Sequence, residues 1–317
     1  MTGSLVPRAS LRHMFVEAAT EKFVGSVRDF AKLRAHVIER GGQFRNDHAA
    51  IRSADPRVTS LLVRVAAQLD MYPDRTYSFP AKKLESYDLQ VPGDDAAQFK
   101  LFISEVDFEA FPEGVAATIR EDAESSWQAA DHAELIELLN AAEANGGVAK
   151  VDADRLLALT VDTLLTRPGP PIRRAVLNTV AEVSGEAASA LALGADFNHV
   201  TIDVLAAGYP SIDAMTQDMR SLGFRMLPAI QGAPGTQLRQ TATMAQTMDT
   251  PVLEDDGATG IAQTERQFVE IIERSVATDD SGRPLQAEDG STRIYKYFLA
   301  ANAEKIFDAA STRARVS

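Results

Sequence analysis

The chain of 317 residues contains no cysteine. Disulfides, thiolate metal sites and cysteine nucleophiles are therefore excluded, and any metal must sit on His, Asp, Glu or backbone oxygen. It also lacks a run of about 18 apolar residues, so no transmembrane helix is expected. Positive charge is in deficit: Lys and Arg number 32 against 45 Asp and Glu, a formal net charge of −13. That sign argues against nucleic acid and against an anionic membrane surface as partners. It leaves room for an anionic small molecule, because a local arginine reverses the field. Histidine is scarce as well, with five in the chain.

What remains is ordinary for a globular protein, with 45% hydrophobic and 24% charged residues. The stretch Leu5-Val6-Pro7-Arg8-Ala9-Ser10 reads as a protease-site linker. Residues 1–13 are set aside on that ground, and the natural chain is expected to begin at Met14. No secretory signal follows Met14, because Glu17, Glu21 and Lys22 interrupt the region. The expectation is a reduced, cytoplasmic protein.

Hydrophobic spacing organises the chain into three parts. In residues 14–112, apolar positions from Phe15 to Val37 fit one helix over 15–40, closed by Gly41-Gly42. A strand over 44–51, a helix over 57–71, weak strands over 76–91 and a strand over 99–106 follow. Residues 113–195 change to helical periodicity, with helices expected over 133–144, 154–165 and 172–193. In residues 196–317 the first order recurs: strand 197–205, helix 211–222 with Ser211 as N-cap and Gly223 closing it, then strands 238–245 and 267–274. Residues 295–310 close the chain with strand-to-helix character. The fold class is α+β: two β-α-β-β-β modules separated by a helical insertion.

Three segments stand out within this order. Asp47-His48-Ala49-Ala50-Ile51-Arg52, Asn198-His199-Val200-Thr201-Ile202 and Phe268-Val269-Glu270-Ile271-Ile272-Glu273-Arg274 each place one metal-capable side chain among apolar neighbours on a strand. Two histidines and one carboxylate on separate strands are the facial triad of non-haem Fe(II) oxygenases. Blander readings exist for each: His48 bonded to Asp47, His199 packed beside Asn198, Glu270 paired with an arginine. His13 falls in the linker, His36 late in a helix, and His132 beside Asp131 at a solvent-facing helix start. His48 and Arg52 are four apart on a strand and share a face.

These segments resemble the 2-oxoadipate dioxygenase/decarboxylase (hydroxyglutarate synthase) family of the vicinal oxygen chelate superfamily. The Phe-x-Glu-Ile-Ile-x-Arg run at 268–274 is similar to the final-strand motif of 4-hydroxyphenylpyruvate dioxygenase. The family features stand here as the His-x-x-Ile-Arg segment 48–52 and the Asn-His-x-Thr segment 198–201. They continue in Arg239-Gln240-Thr241-Ala242-Thr243-Met244-Ala245, Glu270 and the closing stretch 298–307. The resemblance implies paired modules curving into a half-open barrel, with one Fe(II) held by His48, His199 and Glu270. It implies that Arg52 meets a substrate carboxylate. Arg239 is a candidate for a second carboxylate, and Gln240 and Thr243 for orienting ligands.

The implied substrates are a 2-oxo acid, 2-oxoadipate or similar, and dioxygen. The 2-oxo acid chelates the iron through its carboxylate and keto oxygens, carbon dioxide leaves, and the shortened acid is hydroxylated. One departure bears on this. Some members carry an arginine shortly after the second metal histidine, where this chain has Ile202-Asp203. That difference points to another 2-oxo acid. The alternatives are another divalent-metal enzyme of the superfamily, an isomerase, lyase or ring-cleaving dioxygenase, and a metal-free protein binding a small ligand. An exposed sheet edge is compatible with a homodimer.

Overall fold

A computed structural model describes residues 4–93, 96, 98–265, 267–287, 290–298 and 306. Most of the expected closing element over 295–310 lies outside the described residues. Among the described residues no helix is long and apolar enough to cross a membrane.

A curled seven-stranded sheet carries the site. Its strands are β1 (Asn46–Ser53), β2 (Tyr72–Phe79), β3 (Leu84–Gln90), β4 (Lys100–Val106), β6 (Phe197–Asp203), β7 (Leu238–Ala242) and β10 (Phe268–Arg274). Their spatial order is β2-β3-β4-β1-β6-β10-β7. The antiparallel β1–β6 pair lies at the centre. Outward from it each half repeats one pattern: β1 runs parallel to β4 and β6 parallel to β10, and each outer strand then pairs antiparallel with the next. In the second half the fourth strand shrinks to isolated bridges, Met226 with Thr243 and Gln231 with Gln240. The paired β-α-β-β-β modules are present, and the second one has lost most of an edge.

Strand alternation explains how one sheet serves two purposes. Ala49 and Ile51, Leu101 and Ile103, Val200 and Ile202, and Val269 and Ile271 all join one core cluster. Leu11, Phe15, Phe23 and Phe30 of the N-terminal helices cover that face, together with Leu135, Leu139, Leu156 and Leu157 from the 113–195 region. The intervening residues His48, Ala50, His199 and Glu270 turn to the concave side. Polar side chains are thus delivered to a hollow by strands whose other face is anchored in apolar packing.

The helices differ from expectation in physically readable ways. The single helix over 15–40 is two, α1 (Arg8–Ser26) and α2 (Arg28–Glu39). The chain breaks at Val27, which is extended at φ −111° and ψ 98°. Gly25-Ser26 are weak helix formers, and the bend lets Phe23 and Phe30 pack edge-on at 5.2 Å. Because α1 starts at Arg8, Leu11 and Arg12 are buried against the body of the protein, although residues 1–13 were set aside. The helix over 172–193 is likewise divided into α7 (Arg174–Ala181) and α8 (Gly185–Leu193) after the two-residue strand β5 (Ile172–Arg173). Ser184 caps the second, accepting from Ala187 N.

Helix α3 (Pro56–Gln68) starts with Asp55 as N-cap, accepting from Arg57 N at 2.8 Å. Helices α4 (Glu113–Gln128), α5 (Ala133–Asn145) and α6 (Ala153–Leu159) form the bulk of the insertion. His132 is buried, not solvent-facing, because Trp127 stacks on its ring at 3.9 Å. Ser211 caps α9 (Ile212–Ser221) as expected, accepting from Ala214 N.

A hairpin of β8 (Thr247–Leu253) and β9 (Thr259–Glu265) interrupts the second module and joins β5 in a separate three-stranded sheet. It was not anticipated, although Asp256-Gly257 between two alternating runs is a hairpin signal.

The aromatic seam fixes how α1 and α2 seat on the sheet. Phe30 is fully buried and also meets Phe44 edge-on at 4.9 Å. Phe30→Ala is expected to lower unfolding free energy by about 3–5 kcal/mol, read from the urea midpoint at unchanged slope.

Candidate metal centre

Backbone register brings the three segments together. His48 pairs with Thr201 across β1–β6, and Glu270 pairs with Thr201 across β10–β6. His48, Thr201 and Glu270 therefore form one row over three strands, with His199 two residues along on the same face. Residue size makes the row a cradle: Thr201 is small, Ala50 faces His199, and Ala242 faces Glu270. The long side chains lean over these small ones and converge.

The convergence has coordinating dimensions. His199 Nε2 lies 3.6 Å and His48 Nε2 3.8 Å from Glu270 Oε2. Two atoms bonded to one cation at about 2.1 Å are at most about 4.2 Å apart, so both distances fit. All three ligand atoms lie within 4.8 Å of one another. Glu270 Oε1 is buried with no hydrogen-bond partner among the described residues. A carboxylate oxygen in that condition is costly unless a proton or a cation serves it.

Each histidine is oriented by the residue before it. His48 Nδ1 donates to Asp47 Oδ1 at 3.0 Å, and His199 Nδ1 sits 3.2 Å from Asn198 Oδ1. The blander expectations for both histidines are thus fulfilled, and they serve the metal reading. Fixing Nδ1 as the protonated nitrogen turns the Nε2 lone pair inward, as metal-ligating imidazoles require. The Thr201 hydroxyl, 3.1 Å from His48 Nε2, faces that lone pair. Among the described residues no arginine pairs with Glu270: the arginine on its strand, Arg274, goes to Asp47.

Asp47 reaches the concave side because the β1–β6 register shifts between Asn46 and His48. Arg274 grips it with two hydrogen bonds of 2.8 Å, Nε to Oδ2 and Nη2 to Oδ1. Lys100 Nζ stands 3.6 Å away. Burial alone would raise the Asp47 carboxyl, but Arg274 and Lys100 overcome it and hold it well below the usual carboxylate range. Burial pushes Lys100 down to about 8. It pushes His48 down to about 4 and His199 well below the ordinary imidazole value. Burial and the ionised Asp47 push Glu270 up to about 8. At neutral pH both imidazoles are unprotonated and ready to ligate, while Glu270 holds a proton that a cation would displace.

A small cavity opens beside the triad, lined by Ala50, Phe79, Phe102, Ser104, Gln240 and Phe298 besides His48, His199 and Glu270. Phe298 lies 4.7 Å from the His48 ring and 4.5 Å from Phe102. Arg274 positions it, donating through Nη1 to the carbonyls of Tyr295 and Tyr297. Gln240 lines the cavity, with Oε1 buried and without a hydrogen-bond partner among the described residues.

The other expected residues divide. Arg52 is on the same face as His48 and is buried, and it forms an ion pair with Glu186 of α8 at 2.5 Å. Arg239 is not at the cavity. Its register partner is Glu273, on the opposite face of β10 from Glu270, and it pairs with Asp213 at 2.6 Å and with Glu273 at 3.8 Å. Odd and even positions of β7 face opposite ways, so Arg239 and Gln240 cannot both point inward. Thr243 accepts from Val269 N and holds β7 to β10.

Sequence reasoning named Asp47 as a partner of His48 but overlooked Arg274, Lys100 and Glu186. The spacing of four that linked His48 to Arg52 also links Glu270 to Arg274, so that arginine had a signal. Glu186 comes from a distant helix and had none.

A family model described as 2-oxoadipate dioxygenase/decarboxylase matches residues 13–289. Comparison with curated proteins gives no match. Among solved structures, a protein described as glyoxalase superfamily from Ralstonia eutropha JMP134 is 21% identical with a TM-score of 0.74, over 86% of this chain and 85% of that one. The hydroxyglutarate synthase of Oryza sativa in complex with 2-oxoadipate is 18% identical with a TM-score of 0.71, over 98% and 96%. That of Pseudomonas putida in complex with 2-oxoadipate is 20% identical with a TM-score of 0.68, over 88% and 67%. At these identities the structural likeness establishes a shared fold.

Two outcomes follow from the geometry. Below about pH 8 cation uptake should release about one proton from Glu270, and affinity should rise with pH until that carboxyl is ionised. Calorimetry in buffers of different ionisation enthalpy measures the release, and none at pH 7 would contradict the protonated carboxyl. Asp47→Asn should weaken metal binding about 10- to 100-fold, read by competition with a chelator.

Proposed function

Because the chain belongs to the 2-oxoadipate dioxygenase/decarboxylase family, we propose that it is an Fe(II)-dependent dioxygenase that decarboxylates and hydroxylates a 2-oxo acid. The observation carrying this reading is the convergence of His48, His199 and Glu270 beside an aromatic cavity. Two neutral imidazoles and one carboxylate suit Fe(II) and leave one side of the cation open for substrate and dioxygen. Iron held there would supply Lewis acidity for the keto acid and electrons for dioxygen.

The reaction balances with no further cosubstrate. One 2-oxo acid and one dioxygen give carbon dioxide and a 2-hydroxy acid one carbon shorter. One oxygen atom completes the new carboxylate at the former keto carbon, and the other becomes the hydroxyl on its neighbour. The protein's own groups bind and orient. Arg52, on the cavity face of β1, is assigned to the substrate carboxylate, a charge-assisted contact worth about 1.5–3 kcal/mol. Gln240 is assigned to a polar group of the bound acid through its amide. Phe79, Phe102 and Phe298 exclude water, which strengthens each of these contacts. Asp47 and Asn198 keep the imidazoles aimed.

The test is an anaerobic Fe(II)-loaded preparation mixed with a panel of 2-oxo acids and then with dioxygen. Oxygen uptake and carbon dioxide release should be equal for the accepted acids. His48→Ala, His199→Ala and Glu270→Gln should each lose both bound iron and turnover. Full iron occupancy in the histidine variants, or no oxygen uptake with any 2-oxo acid, would defeat the reading.

A further inference from the structure

Two polar side chains line the cavity besides the triad, Gln240 and Ser104; the rest of its wall is Ala50, Phe79, Phe102 and Phe298. They stand on opposite sides of the metal strands, Gln240 on β7 and Ser104 on β4 in the order β4-β1-β6-β10-β7. Ser104 is 6% exposed and lies directly opposite Ser86 of β3. The Ser86 hydroxyl donates to Ser104 Oγ at 2.6 Å. A hydroxyl that accepts still has its own proton to give. Among the described residues that proton meets no acceptor. Sheet pairing does not require a hydroxyl there, because β3 and β4 are already in continuous register from Leu84–Val106 to Leu89–Leu101. A buried donor left without an acceptor is destabilising, and an occupant of the cavity that accepts would relieve it.

The place of Ser104 decides which part of a substrate it meets. His199, Ala50 and Phe102 form one row across β6, β1 and β4. Arg52 and Ser104 form the next row, two residues or about 7 Å along the strands. Glu270 lies on the other side of β6. An acid whose 2-oxo end is held at the triad therefore carries its chain past Phe102 toward Ser104. Phe102 and Phe298, in edge contact at 4.5 Å, wall in the methylene groups. Arg52 stands beside Ser104 as a charge on the next strand, paired with Glu186, and Ser104 is the donor at the cavity wall.

We propose that Ser104 is a specificity residue: its hydroxyl, oriented by Ser86, donates to a carboxylate at the end of the substrate chain remote from the cation. The proposal rests on the reading of the site as a 2-oxo acid dioxygenase. Ser86 is a positioning residue that acts through Ser104. By accepting the Ser86 proton, Ser104 turns its own proton toward the cavity.

2-Oxoadipate and 2-oxohexanoate have chains of equal length and differ in whether the far end carries a carboxylate. Dissociation constants are measured by calorimetry on anaerobic Fe(II)-loaded protein, iron content by metal analysis, and kcat/KM by oxygen uptake. The wild-type protein should bind 2-oxoadipate at least about tenfold more tightly than 2-oxohexanoate. Ser104→Ala should weaken 2-oxoadipate about 10- to 100-fold, change 2-oxohexanoate less than about threefold, and keep its iron. Ser86→Ala should cause a smaller loss for the same acid, and no further loss when added to Ser104→Ala. A Ser104→Ala protein that binds 2-oxoadipate as the wild type does, or that loses both acids equally, overturns the proposal. Wild-type protein that binds the two acids alike also overturns it, while leaving the dioxygenase reading intact. That comparison needs no variant, so poor folding of Ser104→Ala does not shelter the proposal. Neither acid bound nor consumed by the wild type removes the dioxygenase reading itself, and the proposal with it.

Discussion

Hydrogen-bonded register is the constraint on which the site depends. His48, Thr201 and Glu270 occupy one row because β6 pairs antiparallel with β1 and parallel with β10. A slip of one residue in either pairing would send a ligand to the helix-covered face. The slip is opposed from behind: Ala49, Ile51, Val200, Ile202, Val269 and Ile271 lie in the core against the helices. The candidate metal centre is thus specified by apolar residues on the opposite face of the sheet. Ala50, which lines the cavity, and Thr201, between His48 and Glu270 in the row, contribute by being small.

A second layer of order comes from Asp47. This single carboxylate orients His48, is fixed by Arg274, and is approached by Lys100. Arg274 also holds the backbone at Tyr295 and Tyr297, which sets Phe298 over the cavity. Ligand orientation and cavity wall therefore share one guanidinium. Buried ion pairs of this kind add little net stability, and their value here is geometric.

Much of this was legible along the chain, and the limits are instructive. Alternation within 44–51, 197–205 and 267–274 pointed to the three strands and to the candidate ligands on them, because each strand has one apolar face. The order of elements, repeated in both halves, gave the paired modules. Arg239 was misplaced because a run of polar residues, Arg239-Gln240-Thr241, hides which parity points inward. The break at Val27 was hidden because Phe23 and Phe30 keep helical spacing across it. Glu186 was out of reach because its meeting with Arg52 is a property of helix packing across more than a hundred residues. A spacing of four flagged Arg52, but only the fold revealed that another acid already answers its charge.

The central claim is that His48, His199 and Glu270 hold one cation. Anomalous diffraction at the iron edge from anaerobically Fe(II)-loaded crystals tests it directly. The account predicts one strong peak at about 2.0–2.2 Å from His48 Nε2, His199 Nε2 and a Glu270 oxygen. A peak elsewhere, or iron-loaded protein with no density between these three side chains, would contradict it.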